Sequence, residues 1–259
     1  MSISSELLLI NSNKQNIKQA INDQGVTVTN EAFAVYPDKV RLIQSGTGTY
    51  DSTIILYAEN RLRNVVIPAY TSSIGDYAFY SYDANDTSNN LRTVSMPNTV
   101  SSIGRYAFAW NESLTTINLS TNLSDINESA FIHCHSLQSI TLPSSMMFLG
   151  NNAFYECNDL SSVTLNEGLE TIGGGAFTRC YPLASITIPS TVTSIGYGAF
   201  LGCGSLEYII SLPTVPPTLG TDAFTATNNC PIYVPDNNLL DYQVAWADYV
   251  DRIRGISEM

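Results

Sequence analysis

Residues 149–172 read LGNNAFYECNDLSSVTLNEGLETI, and the spacing of their apolar residues decides the fold. Leu149 is followed by Gly150, then by Ala153-Phe154, Cys157, Leu160, Val163 and Leu165, and Ile172 reopens the same series 23 residues after Leu149. Working outward, the Ala-Phe pair recurs at Phe79, Phe108, Phe131, Phe154, Phe177, Phe200 and Phe224, at spacings of 29, 23, 23, 23, 23 and 24. Five residues before each Phe stands an Ile or Leu (Ile74, Ile103, Ile126, Leu149, Ile172, Ile195, Leu219), and Gly follows each of them except Ile126, where Asn127 replaces it. Six residues after the Phe comes Leu114, Leu137, Leu160, Leu183 or Leu206, and then an alternating apolar run such as Ile117 and Leu119 or Ile140 and Leu142.

A fixed period in the range of 20–29 residues with Leu-x-x-Ile-x-Leu at its centre marks leucine-rich repeats, in which short strands of successive turns stack on one another. No single turn can bury its own apolar face, so stacking supplies the core. The expected fold is therefore a right-handed, β-rich solenoid. Each 23-residue coil should hold one to two short parallel strands and a short helical turn at Ala-Phe. At the usual separation of about 4.8 Å between strands, some seven coils rise roughly 30–35 Å. The glycine after each Ile or Leu is read as a turn residue that tolerates positive φ.

The ends differ from the middle, as solenoid caps must. Residues 4–24 read as a helix, with Leu7, Ile10, Ile17, Ala20 and Ile21 near helical spacing and Gly25 as a stop. Residues 26–60 read as short strands and turns leading to a first clear coil at Leu62, Val65 and Ile67. From Asp236, taken as N-cap, DNNLLDYQVAWADYVDRI reads as an amphipathic capping helix with Leu239, Tyr242, Val244, Trp246, Tyr249, Val250 and Ile253 on its apolar faces. The chain divides accordingly into an N-terminal helix and cap region (1–61), the solenoid (62–235) and a C-terminal capping helix (236–259).

The pattern Ala-Phe-x-x-Cys-x-x-Leu-x-x-Ile-x-Leu-Pro-x-x-Val-x-x-Ile-Gly resembles the BspA-like leucine-rich repeats of surface proteins from gut and oral bacteria and some protists. The resemblance covers about residues 62–235, and the end IYVPDNNLLDYQVAWADYVDRI is similar to the strand-then-helix ending common in that family. It implies a secreted or surface-displayed solenoid that adheres to a protein or glycan. It implies no catalytic residues and no cofactor. The segment NSNKQNIKQAINDQGVTVTNEAFAVYPDKV resembles openings of tail-associated or prophage-encoded proteins, which makes a structural component of a phage or prophage particle the alternative function.

Composition narrows the classes further. Only 13% of residues are charged, about half the share usual for soluble domains, so Ser, Thr, Asn and Tyr must cover the surface. A net charge of −12 with 11 Lys and Arg argues against nucleic acid and against anionic membranes. No run approaches the 18 or more apolar residues of a membrane span. The start MSISSELLLINSNKQ has an apolar run but no preceding basic residue and no cleavage site after it, so no secretion signal is expected in this chain despite the implied location.

Five features are chemical candidates. Cys134, Cys157, Cys180 and Cys203 recur every 23 residues and should form one buried column, a structural thiol ladder being favoured over disulfides or metal; Asn111 holds the same place one coil earlier. His133-Cys134-His135 contains both histidines of the chain. If Cys134 points inward the imidazoles point elsewhere, and with no Asp or Glu placed to orient them they read as solvated turn residues. In the six-residue insertion after Phe79, Asp83, Asn85 and Thr87 resemble a calcium loop, but Ser88 and Val94 stand where its Gly and bidentate Glu belong, which favours a polar loop. Thr93, Ser95, Thr116, Asn118, Ser139, Thr141, Ser162, Thr164, Ser185 and Thr187 should form an outward ladder explained by strand pairing. Protein recognition favours aromatic and Arg anchors. Those gather near the insertion, so Tyr77, Tyr80, Tyr82, Asp83, Arg105, Tyr106 and Trp110 are the candidate partner-binding residues.

Overall fold

The computed structural model describes residues 41–45, 53–55, 64–67, 69–81 and 91–259. The helix expected over 4–24, Leu62, and the insertion with Tyr82, Asp83 and the loop weighed as a calcium site lie outside the described residues.

Each coil contributes two strands. The residues ending in the periodic Ile or Leu form one ribbon: β4 (Thr71–Ile74), β6 (Ser102–Ile103), β8 (Asp125–Ile126), β10 (Phe148–Leu149), β12 (Thr171–Ile172), β14 (Ser194–Ile195) and β16 (Thr218–Leu219), all parallel neighbours. A hairpin of β1 (Arg41–Ser45) and β2 (Thr53–Ile55) closes its N-terminal edge, β1 running antiparallel to β4. The Leu-x-x-Ile-x-Leu segments form the other column in three parallel groups. These are β3 (Asn64–Val66), β5 (Thr93–Ser95) and β7 (Thr116–Asn118); β9 (Ser139–Thr141) and β11 (Ser162–Thr164); and β13 (Ser185–Ile188), β15 (Tyr208–Ser211), β17 (Ile232–Val234) and β18 (Ile253–Gly255). The coils number about seven.

Register follows the repeat: Ile103 pairs with Ile126, Leu149 with Ile172, and Val94 with Ile117. Like side chains therefore pile into columns. The phenylalanines form a continuous stack from Phe79 to Phe224, each at most 1% exposed, with centroids 4.8–5.6 Å apart and ring planes within 17°. Between the strands, Ala-Phe makes the expected short turn, closed by bonds such as Ala107 N to Gly104 O (3.3 Å) and Ala109 N to Tyr106 O (3.2 Å). The Phe N–H points across the coil boundary instead: Phe108, Phe131 and Phe154 donate to Ala130, Ala153 and Ala176 of the following coil, each at 2.8 Å. Backbone polarity at the turn is thus satisfied by stacking, as a buried chain requires.

The glycine after the periodic Ile or Leu is there for a different reason than the expected one. Gly104, Gly150, Gly173, Gly196 and Gly220 do not have positive φ. A Cβ on Gly150 would instead lie 2.5 Å from the Asn127 carbonyl carbon, and one on Gly173 would lie 2.6 Å from Asn151 N, both in the preceding coil. The coils approach too closely for a side chain. Positive φ falls two residues before each Phe (Tyr77, Tyr106, Ser129, Asn152, Gly175, Gly198, Asp222) and two after (Trp110, His133, Glu156, Arg179, Gly202, Ala226).

The C-terminal cap also departs from expectation. Only α1 (Leu239–Ala245) is α-helical; Ala247–Arg252 is 3-10 helix and Ile253 belongs to β18, which adds a further parallel strand to β17. Asp236 does not cap α1, whose N-cap is Asn238; its Oδ1 accepts from Ser257 Oγ (2.8 Å) and holds the tail. Tyr242 and Trp246 are buried, but Val244 is 73% exposed and faces solvent. The reason is that this segment imitates a coil. Phe224 N, with no following Ala carbonyl, donates to Tyr249 Oη (3.1 Å), and the Arg252 guanidinium donates to Phe224 O (3.1 Å), Cys230 O (2.8 Å) and Thr227 Oγ1 (2.9 Å).

Candidate functional site

The strand column presents its outward residues as expected: Thr116, Asn118, Ser139, Thr141, Ser162, Thr164 and Thr187 are exposed on either side of the inward Ile or Val. Thr93 Oγ1 donates to Asn64 Oδ1 of the neighbouring strand (2.7 Å), the cross-strand pairing that explains such residues without a ligand. The row changes character at its C-terminal end, where register carries Thr187 to Ile210, Tyr233 and Arg254.

The cysteine column is buried and its thiols are free. Each donates to the Phe carbonyl of the preceding coil: Cys134 to Phe108, Cys157 to Phe131, Cys180 to Phe154 and Cys203 to Phe177, at 3.1–3.3 Å. Asn111 does the same through Nδ2, reaching Phe79 O at 2.7 Å; Thr227 holds the equivalent sequence place in the last coil, but its hydroxyl donates to Phe224 O of its own coil at 2.7 Å. Burial pushes the thiols up, Cys203 to about 12, so these groups stay protonated and structural.

Of the aromatic candidates, the structure brings Tyr77, Tyr80 and Tyr106 together. Tyr77 and Tyr106 stack at 5.1 Å with planes 10° apart, and Tyr80 meets Tyr77 edge-on at 5.5 Å. Arg105 sits beside them, its backbone N–H on Asp76 Oδ1 (2.7 Å) and its guanidinium paired with Glu128 of the next coil. Trp110 lies two residues beyond Phe108, on the far side of the Ala-Phe bend, and stacks on His133 at 3.8 Å.

That contact leads to an arrangement that corrects the reading of the histidines as solvated and lacking a carboxylate. His133 is enclosed, 15% of its side chain exposed, and its Nδ1 lies 3.2 Å from Glu156 Oε2; His135 Nδ1 lies 3.9 Å from Glu112 Oε1. Glu156 also holds the Arg179 guanidinium. Trp110, His133, Glu156 and Arg179 all stand two residues after their Phe and so form one column. Burial lowers the pKa of His133 against the pull of Glu156, so the imidazole is neutral at physiological pH. For Glu156 burial acts upward, but the Arg179 hydrogen bond and the neighbouring His133 outweigh it and the carboxyl titrates below its usual range. The offset of 23 that aligns the phenylalanines would have found Glu156 from His133; sequence neighbourhood conceals it.

Two parallel strands per coil, a stacked Phe core and a coil-mimicking cap define the leucine-rich-repeat class of solenoid. Within that class, the model for "BspA type Leucine rich repeat region" matches in six copies over residues 53–146 and 84–207, more than half the chain, and the protein belongs to that family. Among solved structures it is similar to the T. pallidum leucine rich repeat protein, at 28% identity and a TM-score of 0.63, covering 82% of this chain and 95% of that one. It is also similar to a leucine rich cell surface protein from Faecalibacterium prausnitzii A2-165, at 30% identity and a TM-score of 0.56, covering 66% of this chain and 47% of that one. A search of curated proteins finds no match. Among the described residues, no helix is long and apolar enough to cross a membrane.

Proposed function

We propose that the protein is a non-enzymatic binding module, displayed outside the cell, which engages a protein or glycan partner through the aromatic cluster of Tyr77, Tyr80 and Tyr106 with Arg105 beside it. One observation carries this reading. Tyr77 and Tyr106 occupy left-handed backbone positions, φ 57° and 53°, which later coils fill with Ser129, Asn152, Gly175, Gly198 and Asp222. Bulky residues are disfavoured there by roughly 1–2 kcal/mol each. Tyr77 gains no core packing in return, being 44% exposed. Two stacked rings presented at such positions suit a contact surface, since aromatics and Arg anchor protein recognition and flat rings stack on sugars. The likeness to a cell surface protein supports the location.

The test is to screen the full chain against immobilised extracellular-matrix proteins and glycans and to repeat positive signals with Tyr77→Ser and Tyr106→Ser. Both substitutions install a residue that another coil uses at the same place, so folding is preserved. Loss of an anchor worth about 2 kcal/mol weakens binding roughly 30-fold. Absence of any ligand on both arrays, or equal binding by the variants, refutes the proposal.

A further inference from the structure

We propose that His133, His135 and Glu156 form a binding site for one divalent transition-metal ion of the zinc class. Cys134, between the two histidines, is turned into the core with its thiol on Phe108 O, so both flanking imidazoles project to the outside of the same turn, centroids 5.5 Å apart. The next coil brings Glu156 beside them. One donor atom from each of the three residues lies within 4.8 Å of the other two.

The spacing suits a small tetrahedral ion. Zinc bonds to nitrogen and oxygen of about 2.0–2.2 Å place neighbouring ligand atoms roughly 3.3 Å apart. His133 Nδ1 and Glu156 Oε2, at 3.2 Å, already have that separation. His135, 32% exposed at its side chain, offers a donor atom within 4.8 Å of the other two. Three protein ligands leave a fourth position for water or a partner's side chain.

Three further observations point the same way. His133 Nδ1 is buried and makes no hydrogen bond, although Glu156 Oε2 lies 3.2 Å away. A buried, unpartnered nitrogen facing a carboxylate is what an intervening cation would satisfy. The neighbours are also placed as outer-shell partners: Arg179 holds Oε1 of Glu156 and leaves Oε2 turned to the imidazole, Glu112 approaches Nδ1 of His135, and Trp110 stacks on His133 to fix its ring. Finally, His133 and Glu156 occupy left-handed positions (φ 59° and 54°) where Gly202 serves the same turn later in the chain.

The test is calorimetric titration of zinc chloride into the chelator-treated full chain, free of any polyhistidine tag. The expected result is saturable uptake of one ion per chain, weakened tenfold or more by His135→Ala and by Glu156→Gln, with a smaller loss for Glu112→Gln. His135 is half-buried on a turn and outside the apolar core, so its substitution should leave the coil intact, which circular dichroism verifies. Zinc should raise the thermal unfolding midpoint of the wild type and leave that of His135→Ala unmoved. No saturable uptake by the wild type overturns the proposal. So does undiminished uptake by His135→Ala, which would place the ion on other groups such as the cysteine thiols.

Discussion

Most coils turn through left-handed backbone at two places, and the residue that fills each place decides whether strain is absent, idle or useful. At Ala226 it is idle: φ is 56°, the side chain is exposed, and Gly202 holds the equivalent place one coil earlier. Ala226→Gly should therefore stabilise the protein by about 0.5–1 kcal/mol in urea unfolding, relief of left-handed strain exceeding the entropy cost of glycine. Gly150 is the opposite case. Its φ is ordinary, yet a Cβ would sit 2.5 Å from the Asn127 backbone, so Gly150→Ala should cost about 1–3 kcal/mol by forcing two coils apart. Equal responses at the two positions would mean that backbone conformation and coil spacing are not separate constraints. The glycine column was visible in the sequence, but its cause was not, because close approach involves a residue 23 positions away while positive φ is a local property.

Element by element, the strands were legible because they repeat, and the cap was not because it imitates a repeat with different chemistry. DNNLLDYQVAWADYVDRI has helical spacing over its whole length, but Trp246, Tyr249, Arg252 and Ile253 satisfy the last coil rather than continue one helix face. Trp246 Nε1 donates to Pro217 O (2.9 Å), and Tyr242 Oη bonds Pro213 O (2.8 Å) and Ser211 Oγ (3.0 Å). Burial pushes the Tyr242 hydroxyl up to about 12, against an ordinary value near 10. The folded state thus holds this proton more tightly than the unfolded chain, so the contribution is fully present below pH 10 and is lost as pH rises from 10 towards 12. Tyr242→Phe should cost about 1 kcal/mol at neutral pH through the lost hydrogen bonds and should flatten the decline in stability between pH 10 and 12. Urea midpoints across that range test it; an unchanged decline in the variant would assign the alkaline transition to other groups.

At the scale of the molecule, a stack in which each coil touches only its neighbours behaves as a one-dimensional array, so damage at one end should stay there. The same geometry explains what was readable of the candidate sites. Residues that share a column, such as the cysteines, announced themselves by period, whereas His133 and Glu156 differ in type and meet only because 23 residues make one coil. Arg252 is the sharpest probe of the array. Its guanidinium supplies Phe224 O, Cys230 O and Thr227 Oγ1 with the donors that a further coil would have provided. Arg252→Leu leaves these acceptors short of partners, at about 1–3 kcal/mol, and should loosen the last coil first. Thiol labelling gives the readout, since the five buried cysteines are distributed along the stack from Cys134 to Cys230. In the variant, Cys230 should react rapidly in native buffer and Cys203 more slowly, while Cys134 and Cys157 remain as protected as in the wild type. Uniform labelling of all five would show instead that the solenoid unfolds as one cooperative unit and that the cap stabilises the whole of it.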